Sequence, residues 1–422
     1  MLASALRGLP RGTLSLAAVR LMLYLGVQAA YFIGIIGTLT YQLQASTAAI
    51  AAAVGLFNLL IIIGNAAGGS VLDLYGPRMH TAVTLGVAAV SSILFQLVVC
   101  TVTSVLAMSA GFGFATGLGF AYLSAYPAYL SDDAEVLKRV NALLSVVSNT
   151  AVMVGPAVGG IIAAVLPSQR VFVFAGALAV AAALPAARLL KRAEHARRRR
   201  AAAGNGADGA SAAHPDDEAG GTFADSAHTV FAVPSLALLF WVGVLAYAGY
   251  GAFDPLESLY YRDVLHVEIS WMGWLSSAAG VGSVIGAALA MRVPRRHVNV
   301  RTLMVLIALE GAACILYVGT PYVACALAGQ LLLGAAFGVI TPLQNTLVQI
   351  HAPLKLLGRV NSVMNAGFNG AGVVPLLAAP VLAELFGVQG VLVGASCMVL
   401  LVPIACMVGM RAKISRIVAD EG

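Results

Sequence analysis

Twelve apolar stretches, most of them 20 or more residues long, divide this 422-residue chain, and no other feature limits its fold so tightly. They run over 17–43, 47–71, 80–101, 104–128, 141–166, 171–190, 233–258, 268–291, 302–318, 321–350, 361–386 and 388–410. At 1.5 Å of rise per residue, a helix of about 20 residues crosses a hydrocarbon core of about 30 Å. A soluble chain of this length would coat itself with charge, roughly a quarter of its residues. Here only 10% are charged and 60% are hydrophobic. The sequence therefore predicts an all-α integral membrane protein with twelve transmembrane helices. Several runs exceed a single crossing, which predicts tilt, kinks or extension beyond the bilayer. The first run follows a short tail with Arg7 and Arg11 and is too long for the apolar part of a signal peptide, so no cleavable signal is expected.

The loops set the orientation, because Lys and Arg accumulate on the cytoplasmic side. Counted from a cytoplasmic N-terminus, the even-numbered connections hold Arg78, Lys138, Arg139, a cluster from Arg188 to Arg200, Arg292, Arg295, Arg296, Lys355 and Arg359. The C-terminal tail adds Arg411, Lys413 and Arg416, whereas the odd-numbered connections hold only Arg170 and Arg262. The net charge of +6 is thus a topology signal and not a nucleic-acid site. Residues 191–228 are rich in Ala, Gly and Asp and too poor in apolar side chains to order themselves. The expected organisation is a cytoplasmic tail (1–14), a six-helix bundle (15–190), a disordered cytoplasmic linker (191–228), a second six-helix bundle (229–410) and a cytoplasmic C-terminal tail (411–422). High Ala, Gly and Arg usage points to a bacterial source and hence to the plasma (bacterial inner) membrane.

The two bundles echo each other. Arg139-Val140-Asn141 opens the fifth run and Arg359-Val360-Asn361 opens the eleventh, an offset of 220 residues (139 to 359), and Asn149 meets Asn369 at the same offset. A parallel duplication of this kind describes transporters whose halves are related by an axis along the membrane normal.

Between the second and third runs stand Gly69, Asp73, Gly76 and Arg78. This spacing resembles the loop signature of the major facilitator superfamily, although Leu74 and Pro77 depart from it. The resemblance implies two pseudo-symmetric six-helix bundles working by alternating access. A carboxylate at a helix end complements the exposed N–H groups and dipole of a neighbouring helix N-terminus. Asp73 is therefore expected to latch onto the start of the eleventh helix, with Arg78, Arg139 and Arg359 as the basic members of the latch. Gly69 would allow close helix approach and Gly76 a tight turn. The loop at 292–296 lacks the Asp and the second Gly, so the latch is one-sided. In the fifth run, Gly155, Pro156, Gly159 and Gly160 resemble the signature of the twelve-helix drug and metabolite proton antiporters, with Ala151 where that group has a further Gly. Small residues at this spacing make a smooth packing face, and Pro156 removes a backbone hydrogen bond and is expected to bend the helix.

Charged groups inside membrane spans are costly and mark function by default. Asp254 and Glu257, three apart on the seventh helix beside Pro255, are candidates for coupling, Asp254 foremost, and Glu310 in the ninth helix is a third. The resemblance places helix nine at the periphery, so Glu310 also reads as a neutral group packed against the bundle. Arg20, near the start of helix one, is explained by snorkelling. By the resemblance, helices one, four, seven and ten line the cavity, with two, five, eight and eleven at the interface of the halves. The polar and aromatic candidates there are Gln28, Tyr31, Tyr126, Asn149, Tyr247, Tyr250, Gln344, Asn345, Asn365 and Asn369. About half are expected to serve as glue between helices. This uncharged, amphipathic set suits a weakly polar solute better than a multivalent anion, which would want paired Arg.

The five cysteines match no metal spacing, and the chain lacks the glycine-rich loop that cradles nucleotide phosphates. No cofactor, metal, ATP or enzymatic activity is expected; membrane lipids, a small solute and protons are the expected partners. The sequence thus points to a secondary active transporter, most directly a proton-coupled exporter of a small amphiphilic drug or metabolite. A proton-linked nutrient importer and a lipid-translocating member of the same fold are the alternatives.

Overall fold

A computed structural model describes residues 9, 10, 12–131, 133–191, 228, 230–294, 297–352 and 357–421. Among them the regular structure is helical throughout, with no strand. Eleven helices among the described residues are long and apolar enough to cross a bilayer. One of these, Thr47–Leu97, has 51 residues, about 76 Å at 1.5 Å per residue and far more than one crossing requires. It breaks at Gly76, whose φ of 80° and ψ of 178° lie in a region that only glycine adopts readily. Counting the two arms separately gives the twelve crossings that the hydropathy pattern predicts.

In chain order, α1 is Thr13–Gln42, and α2 (47–75) and α3 (77–97) are the two arms about Gly76. Next come α4 (Val102–Gly119), α5 (Ala134–Val165) and α6 (Arg170–Lys191). The other half comprises α7 (Pro234–Asp263), α8 (Ser270–Ala290), α9 (Val300–Val318), α10 (Val323–His351), α11 (Leu357–Phe386) and α12 (Val388–Gly409). Within α1 the backbone loosens from an α-helix (Thr13–Ala29) to a π-helix (Ala30–Gln42).

Proline explains where several helices break. The ring of a proline inside a helix clashes with the carbonyl four residues back. In α7 the regular segments are Pro234–Tyr250 and Phe253–Asp263, and Pro255 lies just beyond the break, four residues after Gly251. The same device recurs in α11, where Val373–Phe386 resumes after Gly372, with Pro375 four residues after Ala371. Helix α5, by contrast, runs through Pro156 unbroken, so the bend predicted there does not interrupt it. The fourth span also ends earlier than its apolar run suggests. Gly119 closes α4, and a single turn (Ala121–Ser124) and a 3-10 turn (Tyr126–Tyr129) follow, because Pro127 disfavours the α conformation at the residue before it.

The chain forms two compact units, one within Met1–Ala213 together with Ile269–Gly273, the other within His214–Glu268 and Trp274–Gly422. The linker expected at 191–228 lies outside the described residues, apart from Lys191 and His228. Each unit contains a pair of helices whose backbones touch. In the first, a Cβ on Gly64 would meet the Phe114 carbonyl, and one on Gly117 would meet the Ile61 carbonyl, so α2 and α4 are pressed together. In the second, Gly282 and Gly286 of α8 face the Leu331 and Ala335 carbonyls, and Gly334 and Gly338 of α10 face those of Ala279 and Ser283. Small residues four apart are what membrane helices need for such approach, since apolar side chains gain nothing from leaving lipid. Outer faces keep large apolar side chains exposed, Ile62 at 69% and Val284 at 63%, as a lipid-embedded surface requires. Val140 and Val360, equivalents across the 220-residue echo, are both fully buried.

Candidate functional site

Along α7, Tyr247, Tyr250, Asp254, Glu257 and Tyr261 follow one another at intervals of three or four, which sets them on one side of the helix. In the second unit this side borders a cavity of about 270 Å³, lined by Tyr247, Tyr250, Ile307, Glu310, Phe337 and Gln344 among others. Glu310 is 4% exposed, and the Tyr250 hydroxyl is its hydrogen-bond partner. That hydroxyl also lies 3.4 Å from Cys314 Sγ. Helix nine contributes Ile307 and Glu310 to this lining within the second unit, where Glu310 is also packed against the bundle as its sequence position led us to expect. The lining combines aromatic rings, aliphatic side chains, an amide and a carboxyl group.

One turn further along α7, Glu257 is held by three donors. Tyr261 Oη donates to its Oε1 at 2.8 Å, Gln330 Nε2 at 3.0 Å, and Tyr317 Oη completes the set. Tyr317 also contacts the Tyr261 hydroxyl, and its ring packs on Phe253 with centroids 6.3 Å apart. Tyr260 fixes the end of α9 by donating to the Tyr317 and Thr320 carbonyls at 2.9 and 2.7 Å. Asp254, the foremost titrating candidate from sequence, is exposed, and its charged neighbour is Glu257. Sequence reading missed Tyr261, Tyr317 and Gln330; the stripe of Tyr247 to Tyr261 on α7 was the available signal, and its partners lie 60 and 73 residues away.

The first unit distributes its polar groups differently. Arg20 is 2% exposed and does not snorkel. Its Nε donates to Ser148 Oγ at 3.0 Å on α5 and its Nη1 to the Gly119 carbonyl at 3.3 Å, where the negative end of the α4 dipole favours a cation. Its guanidinium also lies 4.2 Å from the Tyr24 ring centroid. Tyr126, expected in the cavity, is instead fully buried at the Gly76 turn. Its hydroxyl lies 3.1 Å from the Pro77 carbonyl, 3.0 Å from Thr81 Oγ1 and 3.2 Å from His80 Nδ1, while His80 Nε2 lies 3.1 Å from the Leu118 carbonyl. This cluster pins the α2–α3 turn to the end of α4 and leaves Tyr126 nothing to offer a solute.

The remaining sequence candidates fall as follows. Gln28 is half-buried, with its Cβ against Gly155; Tyr31 is buried, its ring 4.3 Å from that of Phe57. Asn149, Asn345 and Asn365 are exposed, and the side chains of Asn369 and Arg359 lie outside the described residues. Arg139, Asp73 and Arg78 are exposed, the last two each with a further interaction partner. Gly69 has nothing near its Cβ position among the described residues, whereas Gly64 and Gly68 are close to α4, where a Cβ on Gly68 would fall 3.2 Å from Leu118 Cα. Gly155 and Gly159 seat α5 on α1, where a Cβ would fall 2.7 Å from Gln28 and 2.8 Å from Ile33. A Cβ on Gly160 would fall 2.9 Å from the Ser270 carbonyl, in the short segment that clusters with the first unit.

Similar proteins agree with this architecture. A chain of Mycobacterium tuberculosis (strain ATCC 25618 / H37Rv) described as "Multidrug efflux pump Tap" is 28% identical over 281 residues, 64% of this chain. That match spans 60% of the relative's own length. The chain of the same description from Mycolicibacterium fortuitum is 27% identical over 364 residues, 83% of this chain and 84% of that one. Among solved structures, a mutant of the nucleoside transporter NupG superposes with a TM-score of 0.69 at 12% identity, covering 94% of this chain and 99% of that one. A D-xylose-proton symporter does so with a TM-score of 0.63 at 15% identity, covering 93% and 96%. Residues 16–374 and 239–419 match the Major Facilitator Superfamily, and the chain belongs to that family of multi-pass membrane transporters.

Proposed function

We propose that this protein is a secondary active transporter that exports small amphiphilic, drug-like compounds in exchange for protons. The observation that carries this reading is the second-unit cavity, where Tyr247, Tyr250, Phe337, Ile307 and Gln344 surround the carboxyl group of Glu310. Such a lining accepts aromatic and aliphatic surface while offering a single hydrogen-bonding acid, and it lacks the paired Arg that a multivalent anion would need. The helix-five motif and the efflux pumps among the relatives support an outward direction. The intramembrane carboxyl groups of α7 and α9 supply titratable groups for a proton, and the absence of a nucleotide loop in the sequence leaves an ion gradient as the energy source.

The basic even-numbered connections support a plasma-membrane orientation with both termini in the cytoplasm. Asp73, Gly76 and Arg78 then belong to a cytoplasmic turn that takes part in alternating access. The Gly155 and Gly159 contacts give α5 a smooth face against α1.

Inverted membrane vesicles loaded with a pH dye test this reading. With an acidic lumen, ethidium is expected to accumulate inside while the lumen alkalinises, and a protonophore should stop both. Movement of a sugar or nucleoside in the opposite sense, with no movement of ethidium, would establish a nutrient importer; translocation of a labelled lysolipid alone would establish a lipid carrier.

A further inference from the structure

Glu257 and Glu310 lie on neighbouring helices of one unit, but their surroundings differ. Glu310 borders the cavity, with Tyr250 as its partner. Glu257 is absent from that lining and half-buried. Among the described residues every hydrogen bond to Glu257 ends on one atom, Oε1, which takes Tyr261, Tyr317 and Gln330 together. Tyr317 has one proton to share between Oε1 and the Tyr261 hydroxyl, and the three groups together orient the carboxyl group through Oε1 without using its other oxygen. Oε2 is thereby left as the only atom of the group that can change its protonation while the carboxyl group stays in place.

We infer that Glu257 is the proton-loading carboxyl of this transporter, that Tyr261, Tyr317 and Gln330 are its positioning residues, and that Glu310 serves the solute instead. The inference rests on the coupled-transport reading above and assigns proton and solute to separate acids. The step is a simple protonation. Oε2 takes one proton from water and becomes O–H, Oε1 keeps its donors, and the proton later leaves from the same atom with no other bond made or broken.

The groups facing Glu257 are consistent with this. From its own helix come Asp254 and Tyr261, and from α9 come Cys314 and Tyr317, with Glu310 seven residues before Tyr317. From α10 comes the neutral Gln330. The C-terminal segment of α7 also packs on α11 and α12. Glu384 of α11 is exposed, and α12 carries no charged side chain between Val388 and Gly409. The second acid, Asp254, lies one turn away on the same helix, with Glu257 as its charged neighbour. No cation stands among these described groups to hold Glu257 permanently as an ion-pair partner.

Two measurements on the purified full-length protein test the assignment. The first is infrared difference spectroscopy across a pH titration, which reads carboxyl protonation without any solute. A titrating band from a protonated carboxyl is expected in the wild type and in Glu310→Gln and lost in Glu257→Gln; its persistence in Glu257→Gln overturns the proposal. The second uses proteoliposomes and ethidium. Glu257→Gln is expected to lose accumulation driven by a pH gradient yet retain ethidium–ethidium counterflow, whereas Glu310→Gln loses both. Retained gradient-driven accumulation in Glu257→Gln, or loss of counterflow in Glu257→Gln protein whose elution and melting match the wild type, also overturns the proposal. Tyr317→Phe removes one donor and is expected to displace the pH profile of gradient-driven transport to higher pH, because an acid with fewer donors to its anion keeps its proton more readily. An unmoved profile argues against a positioning role. If the band vanishes in Glu257→Gln while the wild type moves no ethidium at all, the drug-export reading fails and the proton site stands.

Discussion

Arg20 and Glu257 are both charged side chains set among membrane helices, and both have three polar or aromatic partners. In the first unit, Arg20 is buried, with Nε on Ser148, Nη1 on the Gly119 carbonyl and its guanidinium face beside the Tyr24 ring. In the second, all donors to Glu257 converge on one oxygen and leave the other open, with the exposed Asp254 one turn away. Arg20 thereby ties α1 to α4 and α5, whereas Glu257 is engaged through one oxygen among the described residues. The cavities follow the same division. The first unit has a groove of about 390 Å³ between α3 and α6, lined mostly by Ala and Leu and bordered by Arg78 and Thr81, with no acid in its wall. The smaller cavity of the second unit contains Glu310. The described polar groups thus differ between the bundles: the first buries a cation that joins helices, and the second sets a carboxyl group beside a cavity.

Substitutions can break or sharpen that contrast. The largest effect is expected from Glu310→Gln, which should reduce the efficiency of ethidium export by about a hundredfold, as loss of a buried charged hydrogen-bonding group to the solute implies, while thermal unfolding in detergent stays near the wild type. If Glu310→Gln instead unfolds the protein and leaves transport per folded molecule unchanged, the second unit's acid is structural and the contrast collapses. Next in size are Gly117→Leu and its counterpart Gly334→Leu. Each forces a branched side chain against a backbone carbonyl and is expected to cost about 3 kcal/mol, read as a lower unfolding midpoint or loss of the monodisperse peak in size-exclusion chromatography. Equal damage in both units would mark the packing as common to the halves even though the chemistry is not. Arg20→Met keeps much of the side-chain volume and removes the charge, leaving the Gly119 carbonyl and Ser148 without a partner. A loss of about 2 kcal/mol is expected, with the ethidium affinity of the folded fraction unchanged. A changed affinity would move Arg20 from stitching into solute recognition. The smallest effect belongs to Tyr126→Phe, which deletes a hydroxyl at the Gly76 turn and should cost about 1 kcal/mol, a magnitude typical of side-chain hydrogen bonds between membrane helices.

How much of this was readable in the sequence depended on how local the physical signal was. Hydrophobic run length is a local property, so all twelve crossings stand out in the sequence, and the glycine at the Gly76 turn is visible because a left-handed φ selects one residue type. Breaks four residues ahead of or behind a proline are also local, yet they did not all behave alike. Pro255 and Pro375 stand just beyond interruptions, while Pro156 sits inside an intact α5. Side-chain fate is not local. Arg20 has the same length whether it snorkels or turns inward, and only the positions of Gly119 and Ser148, 99 and 128 residues away, decide between the two. Glu257 looked like a lesser copy of Asp254 because two of its three donors come from other helices. Glu310 reads from sequence as a neutral group packed against the bundle, and only Tyr250 and Phe337, on other helices, show that it also borders a cavity. Gly69 matched a motif, whereas the glycines close to α4 are Gly64 and Gly68, which no motif singled out.

The glycine contacts between α2 and α4 and between α8 and α10 have a bearing on traffic from the bilayer. Drug-like molecules dissolve in lipid and often reach a binding site sideways, through gaps between helices. Where a backbone carbonyl of one helix already occupies the space a methyl group would need on the other, no aromatic ring can pass. These two pairs are sealed walls. A solute arriving from a leaflet must find its way in elsewhere around the perimeter, and the doorway should be sought among helices whose contacts are made by long, mobile side chains.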